Sequence, residues 1–353
     1  MPGAADGRGG ARVLVLIVID GLGERFLNEF GAGGALLAHR RRRLTSVFPS
    51  TTAAAVTTLM SGLAPATHGL TGWFIRDTRL GGVIAPLPLH RRGGRALRAP
   101  FLVPRLFPYP SMFAGACRPA VLVSPHDIAY SAYSRRHGRG ARIRPYRGLA
   151  QFAQAIDDEV HGLLPQGGYV HGYYARFDAI SHRYGSRSAE AVAEFRRLDE
   201  WFGDLVERLS AVDCTVLLTA DHGFVDAPPE RLIALERLPG AAAMLAAPLF
   251  GERRTAFCAV RAGAEAEFAA LVRDELAGRA VVHASAQLVR AGLFGPGPAH
   301  KRLLERAGTH TLLMEPGWTI ADRVAGEPAV SMLGVHGGLS ADEMWVPLVQ
   351  AGR

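Results

Sequence analysis

Val13-Leu14-Val15-Leu16-Ile17-Val18-Ile19, followed at once by Asp20-Gly21, is an unbroken aliphatic run rich in β-branched residues. A strand with one buried face alternates apolar and polar side chains. A continuous run marks a strand covered on both faces, as in a parallel sheet held between helices. Similar runs recur at residues 120–124, 168–173, 214–220, 255–260 and 344–350. Between them, residues 52–60, 149–164, 188–209 and 264–276 carry apolar side chains at three- and four-residue spacing, the period of a helix with one buried stripe. Strands alternating with helices predict an α/β fold, with a mostly parallel sheet and helices on both of its faces.

The chain has 353 residues, 48% hydrophobic and 20% charged, which excludes disordered, collagen-like and coiled-coil classes. The run Val13–Ile19 is seven residues long, whereas a membrane helix needs about 20, so no bilayer span is expected. Arg8 and Arg12 precede that run and raise the possibility of a secretory leader. The run ends in Asp20-Gly21 rather than at a small-residue cleavage site, so it reads as a mature strand and the protein as cytoplasmic. Cys117, Cys214 and Cys258 show no paired spacing and read as buried small apolar residues.

A net charge of +8, with clusters such as Arg40-Arg41-Arg42-Arg43 and Arg135-Arg136, invites a nucleic-acid reading. No aromatic residues interleave with these clusters as stacking platforms require, and Lys301 is the single lysine. The arginines therefore read as solvated surface that attracts small anionic substrates. Residues 74–148 hold nine of the 22 prolines and read as a loop-rich excursion walling a substrate cleft. Residues 240–330 read as a small inserted α/β lobe, and both stretches lie within one domain over 1–353.

In an open parallel sheet, ligands bind beyond the carboxyl ends of the strands, so polar residues directly after strands carry the most information. Asp20 follows the first run, Asp221 and His222 follow the run at 214–220, and Asp178 follows the run at 168–173 after a short connection. Asp178 and His182 are four apart, which on one helical turn puts carboxylate and imidazole on the same face. His336-Gly337-Gly338 sets another histidine against glycines just before the last run. The segment from Phe48-Pro49-Ser50-Thr51-Thr52 through a run of alanines to Ser61-Gly62 reads as a helix with hydroxyl residues at its start. Those hydroxyls are either plain caps or a nucleophile at an anion-binding helix N-terminus; the segment alone fits both.

Taken in order, these motifs resemble the type I phosphodiesterase/nucleotide pyrophosphatase family of the alkaline phosphatase superfamily. They are Ile19-Asp20-Gly21, Phe48-Pro49-Ser50-Thr51-Thr52, Ser61-Gly62-Leu63-Ala64-Pro65 with His68-Gly69, Tyr174-Ala175-Arg176-Phe177-Asp178 with His182 and Gly185, Thr219-Ala220-Asp221-His222-Gly223, and His336-Gly337-Gly338. The resemblance implies a three-layer, alkaline-phosphatase-like α/β/α sandwich holding two divalent metal ions, Zn²⁺ first, with Mn²⁺ or Fe²⁺ as alternatives. It makes Thr52 the nucleophile and a metal contact, with Thr51 as the fallback. Asp20, Asp221 and His222 would bind one metal, and Asp178, His182 and His336 the other. Each metal then has three protein ligands and an open position.

The implied activity is cleavage of a phosphodiester or pyrophosphate bond through a phospho-threonine, on a small phosphate-ester or nucleotide-like substrate. A phosphomonoesterase or phosphonate hydrolase using the same site is the alternative, and a non-catalytic anion-binding protein is a more distant one. One position departs from the family. Where the family places an asparagine that donates to a phosphate oxygen, this chain has Trp73, a substrate contact only if its N–H substitutes.

Overall fold

The computed structural model describes residues 11–327 and 331–352. Arg8, on which the leader reading leans, and the last three residues of the 240–330 stretch lie outside them. Strands β1 (Val13–Ile19), β2 (Arg40–Thr45), β3 (Ala120–Pro125), β4 (Arg142–Tyr146), β5 (Gly168–Tyr174), β6 (Cys214–Thr219) and β7 (Trp345–Gly352) form one sheet in the order β2-β7-β6-β1-β5-β3-β4. β7 runs antiparallel to β2 and β6, and every other pair in the sheet is parallel. Helices α1 (Thr52–Ser61), α2 (Gly148–Leu163), α3 (Arg176–Tyr184) and α4 (Ala189–Arg208) flank the sheet.

The period of two along β1 builds the three layers. Val13, Val15, Ile17 and Ile19 pack with Phe152 and Ile156 of α2 and with Phe195, Leu198 and Phe202 of α4. Val18 and the partly buried Leu16 face the opposite layer, where α1 supplies Val56 and Met60. Each fully buried aliphatic side chain contributes about 1.5–3 kcal/mol relative to exposure, so a strand apolar on both faces anchors both helix layers at once.

Two edge strands escaped the sequence reading. The arginines of β2 are mostly exposed, as expected, but they form a strand, with the Arg43 guanidinium 4.2 Å from the ring centroid of Trp345. On β4, at the other edge, Arg142 and Arg144 pair with Glu159 and Asp158 of α2. Charge on an edge strand blocks pairing with other chains, and the same charge hides the strand from a hydrophobicity reading.

The 74–148 stretch is more regular than expected. Besides β3 and β4 it contains an antiparallel sheet of Ile75–Asp77, Gly82–Ala85 and His90–Arg91. In the 240–330 region, Phe250–Gly251, Thr255–Cys258, His310–Met314 and Ala280–Ala284 form a four-stranded antiparallel sheet. The helix Glu265–Glu275 packs on that sheet through Phe268 and Val272. Buried Arg306 ties the two regions, donating to the Gly69 carbonyl at 2.9 Å and to Asp77 at 3.4 Å. Cys214 and Cys258 are buried as expected, but Cys117 is exposed and corrects that reading. Among the described residues, no helix is long and apolar enough to cross a membrane.

Candidate active site

The carboxyl ends of β1 and β6 are adjacent, and the polar residues leaving them converge. Asp20 is buried directly after β1, and Asp221 and His222 are buried directly after β6. Asp221 Oδ1 accepts the amides of Gly21 at 3.0 Å and of His222 at 3.1 Å, which leaves Oδ2 to face the site. Asp178 and His182 share a face of α3, with His182 Nε2 3.4 Å from Asp178 Oδ1. His336 follows the short strand Gly334–Val335, which pairs with Val225–Asp226 beyond β6.

Ligand atoms of Asp20, Asp221 and His222 lie within 4.8 Å of one another, and so do those of Asp178, His222 and His336. His222 thus stands between the two groups, its ring stacked on that of His336 at 3.6 Å. The expected second set had His182 in that place; His182 joins instead through its contact with Asp178.

The donor set suits cations. Asp20 Oδ1, Asp178 Oδ1 and Asp221 Oδ2 are buried with no hydrogen-bond partner among the described residues. Uncompensated buried oxygens of this kind are costly, and three in one place call for positive charge. Each histidine, moreover, spends Nδ1 on a backbone carbonyl: His182 on Gly334 at 2.8 Å, His222 on Gly223 at 3.1 Å and His336 on Ser50 at 3.1 Å. Such a bond fixes the proton on Nδ1 and frees the Nε2 lone pair for a metal. Asp20 Oδ2 accepts the hydroxyl of buried Tyr173, which orients Oδ1 toward His222 Nε2 at 3.3 Å.

Without a cation, burial drives the three carboxyls and the imidazoles of His182 and His336 toward neutrality. It pushes Asp20 up to about 6, against the hydrogen bond from Tyr173. Burial and then the Asp20 charge push Asp221 up to about 7, and burial with the neighbouring carboxylates holds Asp178 well above its usual range. The imidazoles move the other way: burial takes His182 down to about 4 and lowers His336 well below the ordinary value. A bound cation reverses both pressures, stabilising carboxylate and neutral imidazole together.

Thr52 opens α1, and its Oγ1 lies 3.1 Å from His222 Nε2. Thr51, the other candidate, is buried and donates its hydroxyl to Glu252 Oε1 at 2.6 Å, so only Thr52 faces the ligand cluster directly. Among the described residues, the amides of Thr52 and Ala53 bond to no carbonyl, as expected of a first helical turn, and are free to hold an anion. Trp73 contributes its backbone amide, which donates to the same Glu252 oxygen at 2.6 Å. His68 is structural: Nδ1 accepts from the Leu70 amide at 3.0 Å, and Nε2 meets Thr58 Oγ1 at 3.1 Å.

Glu252 and Tyr173 were not found by sequence reasoning. Glu252 sits in the turn between the strands Phe250–Gly251 and Thr255–Cys258, far in sequence from the threonines it meets. Tyr173 is the penultimate residue of β5, and period-two alternation along that strand was the one available signal.

The model of the type I phosphodiesterase/nucleotide pyrophosphatase family matches residues 14–339. A search of curated proteins finds no match. Among solved structures, murine ectonucleotide pyrophosphatase/phosphodiesterase 5 superposes with a TM-score of 0.65 at 16% identity, covering 97% of this chain and 88% of that one. An inactive variant of that mouse protein in complex with AMP gives 0.64 at 17% identity, covering 96% and 88%. Phosphonoacetate hydrolase from Sinorhizobium meliloti, in complex with phosphonoformate, gives 0.67 at 18% identity, covering 98% and 92%.

Proposed function

The chain belongs to the type I phosphodiesterase/nucleotide pyrophosphatase family, and on that premise we propose that it hydrolyses small phosphodiesters or pyrophosphates through a phospho-threonine on Thr52. The observation that carries this reading is the Thr52 hydroxyl 3.1 Å from His222 Nε2, at a helix N-terminus and amid three partnerless carboxylate oxygens. A neutral threonine is a poor nucleophile, and this is the setting that activates one. Asp20, Asp221 and His222 would hold one divalent cation and Asp178, His182 and His336 a second, Zn²⁺ suiting the mixed carboxylate and imidazole set. Cations there would supply the charge that favours the Thr52 alkoxide and offsets charge on the phosphoryl group.

The chain's own groups do the rest. The free amides of Thr52 and Ala53 hold a non-bridging oxygen against the helix N-terminus. The Thr52 oxygen attacks phosphorus as the bond to the leaving oxygen breaks, and the departing alcohol or phosphate takes up a proton. Water then attacks the phospho-threonine, releasing the phosphate product and restoring the hydroxyl.

Phosphonate hydrolysis on the same site is the second reading. It is favoured by Trp73, which stands where the family's phosphate-binding asparagine would be and has no side-chain amide to take over that contact. Turnover of bis-(p-nitrophenyl) phosphate, p-nitrophenyl phosphate and phosphonoacetate, after chelation and restoration of zinc or manganese, separates the readings. Preference for the diester supports the proposal; preference for the phosphonate transfers the site to carbon–phosphorus cleavage.

A further inference from the structure

We infer that Glu252 is a specificity residue that makes the site reject dianionic phosphoryl groups and accept monoanionic diesters, an inference that rests on the phosphoryl-transfer reading of Thr52. The hydroxyl of Thr51, next to the nucleophile in the chain, and the Trp73 amide are both turned onto one oxygen of Glu252 at 2.6 Å. A phosphoryl group seated on Thr52, with one oxygen against the helix amides, directs another oxygen toward that donor pair. A carboxylate already occupies the place. Glu252 is pressed close to the ligand-bearing loop as well, since a Cβ on Gly337, next to His336, would fall 2.6 Å from Glu252 Cβ.

Burial raises the Glu252 carboxyl, the hydrogen bonds from Thr51 and Trp73 and the more distant charges of His222 and Arg253 oppose that, and no close ion pair neutralises it. Among the described residues no arginine, lysine or histidine lies within 4.0 Å of its carboxylate, and its neighbour Arg253 forms no ion pair with it. An esterified oxygen carries no charge and tolerates a carboxylate beside it, whereas the extra anionic oxygen of a monoester meets like charge in a partly buried site, where repulsion is weakly screened. Glu252 therefore acts against one substrate class, and its two hydrogen bonds hold it in place to do so.

Glu252→Gln removes the charge, keeps an oxygen for Thr51 and Trp73, and adds a donor for phosphate. The ratio of monoester to diester kcat/KM, from p-nitrophenyl phosphate and bis-(p-nitrophenyl) phosphate, is expected to rise at least about tenfold. Glu252→Ala, which loses the charge and both bonds, raises the same ratio if charge is the cause. A binding readout independent of turnover is calorimetry with inorganic phosphate and dimethyl phosphate, above the second pKa of phosphate. Wild type is expected to bind dimethyl phosphate more tightly, and Glu252→Gln to shift the preference toward inorganic phosphate. An unchanged ratio and unchanged binding preference, with activity still dependent on Thr52, overturn the role of Glu252 alone. A Thr52→Ala enzyme as active as wild type overturns the phosphoryl-transfer reading and this inference with it.

Discussion

Glu343 Oε1 accepts the amide of Gly338 at 2.7 Å, two residues beyond His336, and so pins the loop that carries this histidine. The same carboxylate is gripped by Arg254 through bonds of 3.0 and 2.9 Å, and both side chains are buried. Arg254 follows Glu252 and Arg253 in the same turn, so one ion pair fixes both the His336 loop and the turn bearing Glu252.

Removing one partner of a buried pair strands the other's charge. Glu343→Ala is expected to cost about 3–5 kcal/mol of unfolding free energy. Chemical denaturation measures it, and a loss below about 1 kcal/mol would show that the pair is not structural.

Gly21 has a φ of +80°, and a Cβ there would lie 2.3 Å from the Phe224 ring. Gly21→Ala combines a strained backbone with a clash and should destabilise the fold by about 1–3 kcal/mol or more. It also displaces the amide that fixes Asp221, so zinc affinity should fall with stability. Competition against a chromogenic chelator reads the second effect.

Tyr173→Phe deletes the hydroxyl that orients Asp20 while keeping the buried ring. Outer hydrogen bonds of this kind are worth roughly 10–100-fold in metal affinity. The expected outcome is a loss of that size in zinc affinity, with the far-ultraviolet circular dichroism unchanged.

Metal removal should make stability depend on pH in a definite direction. With folded values of about 6 for Asp20 and about 7 for Asp221, against 3.8 for the free group, the stripped protein prefers these carboxyls protonated. Their penalty is absent below the unfolded value and grows as pH rises through the folded ones. The Tm difference between zinc-loaded and chelated protein should therefore widen from about pH 5 to about pH 8. Burial of His68 and His171 works in the other direction, with folded values of about 3 and about 4. Both forms lose stability in acid for that reason, so this contribution cancels in the difference.

The fold was legible where burial left a periodic trace. β1, apolar on both faces, announced the parallel sheet, and α2 and α4 showed their stripes. β2 and β4 were not legible, because edge strands carry charge where central strands carry valine. For the candidate site, Asp20, Asp221 and His222 stood out by following strands directly, and Asp178 with His182 by one helical turn. Their assembly with Thr52 depends on topology, which the motifs' order reflects only through family resemblance. Glu252 left no trace, since its contacts with Thr51 and Trp73 join residues separated by 201 and 179 positions. The second ligand grouping was also beyond spacing rules: whether His182 or His222 lies nearer His336 is decided by packing of α3 against the Gly334–Val335 strand.

In the proposed reaction Thr52 becomes covalently phosphorylated. Zinc-loaded enzyme mixed with bis-(p-nitrophenyl) phosphate, quenched in acid within the first turnover and examined by peptide mass spectrometry, tests it directly. One p-nitrophenyl phosphoryl group is expected on Thr52, and none in Thr52→Ala or after chelation. Turnover without any adduct on Thr52, or an adduct on another residue, would contradict it.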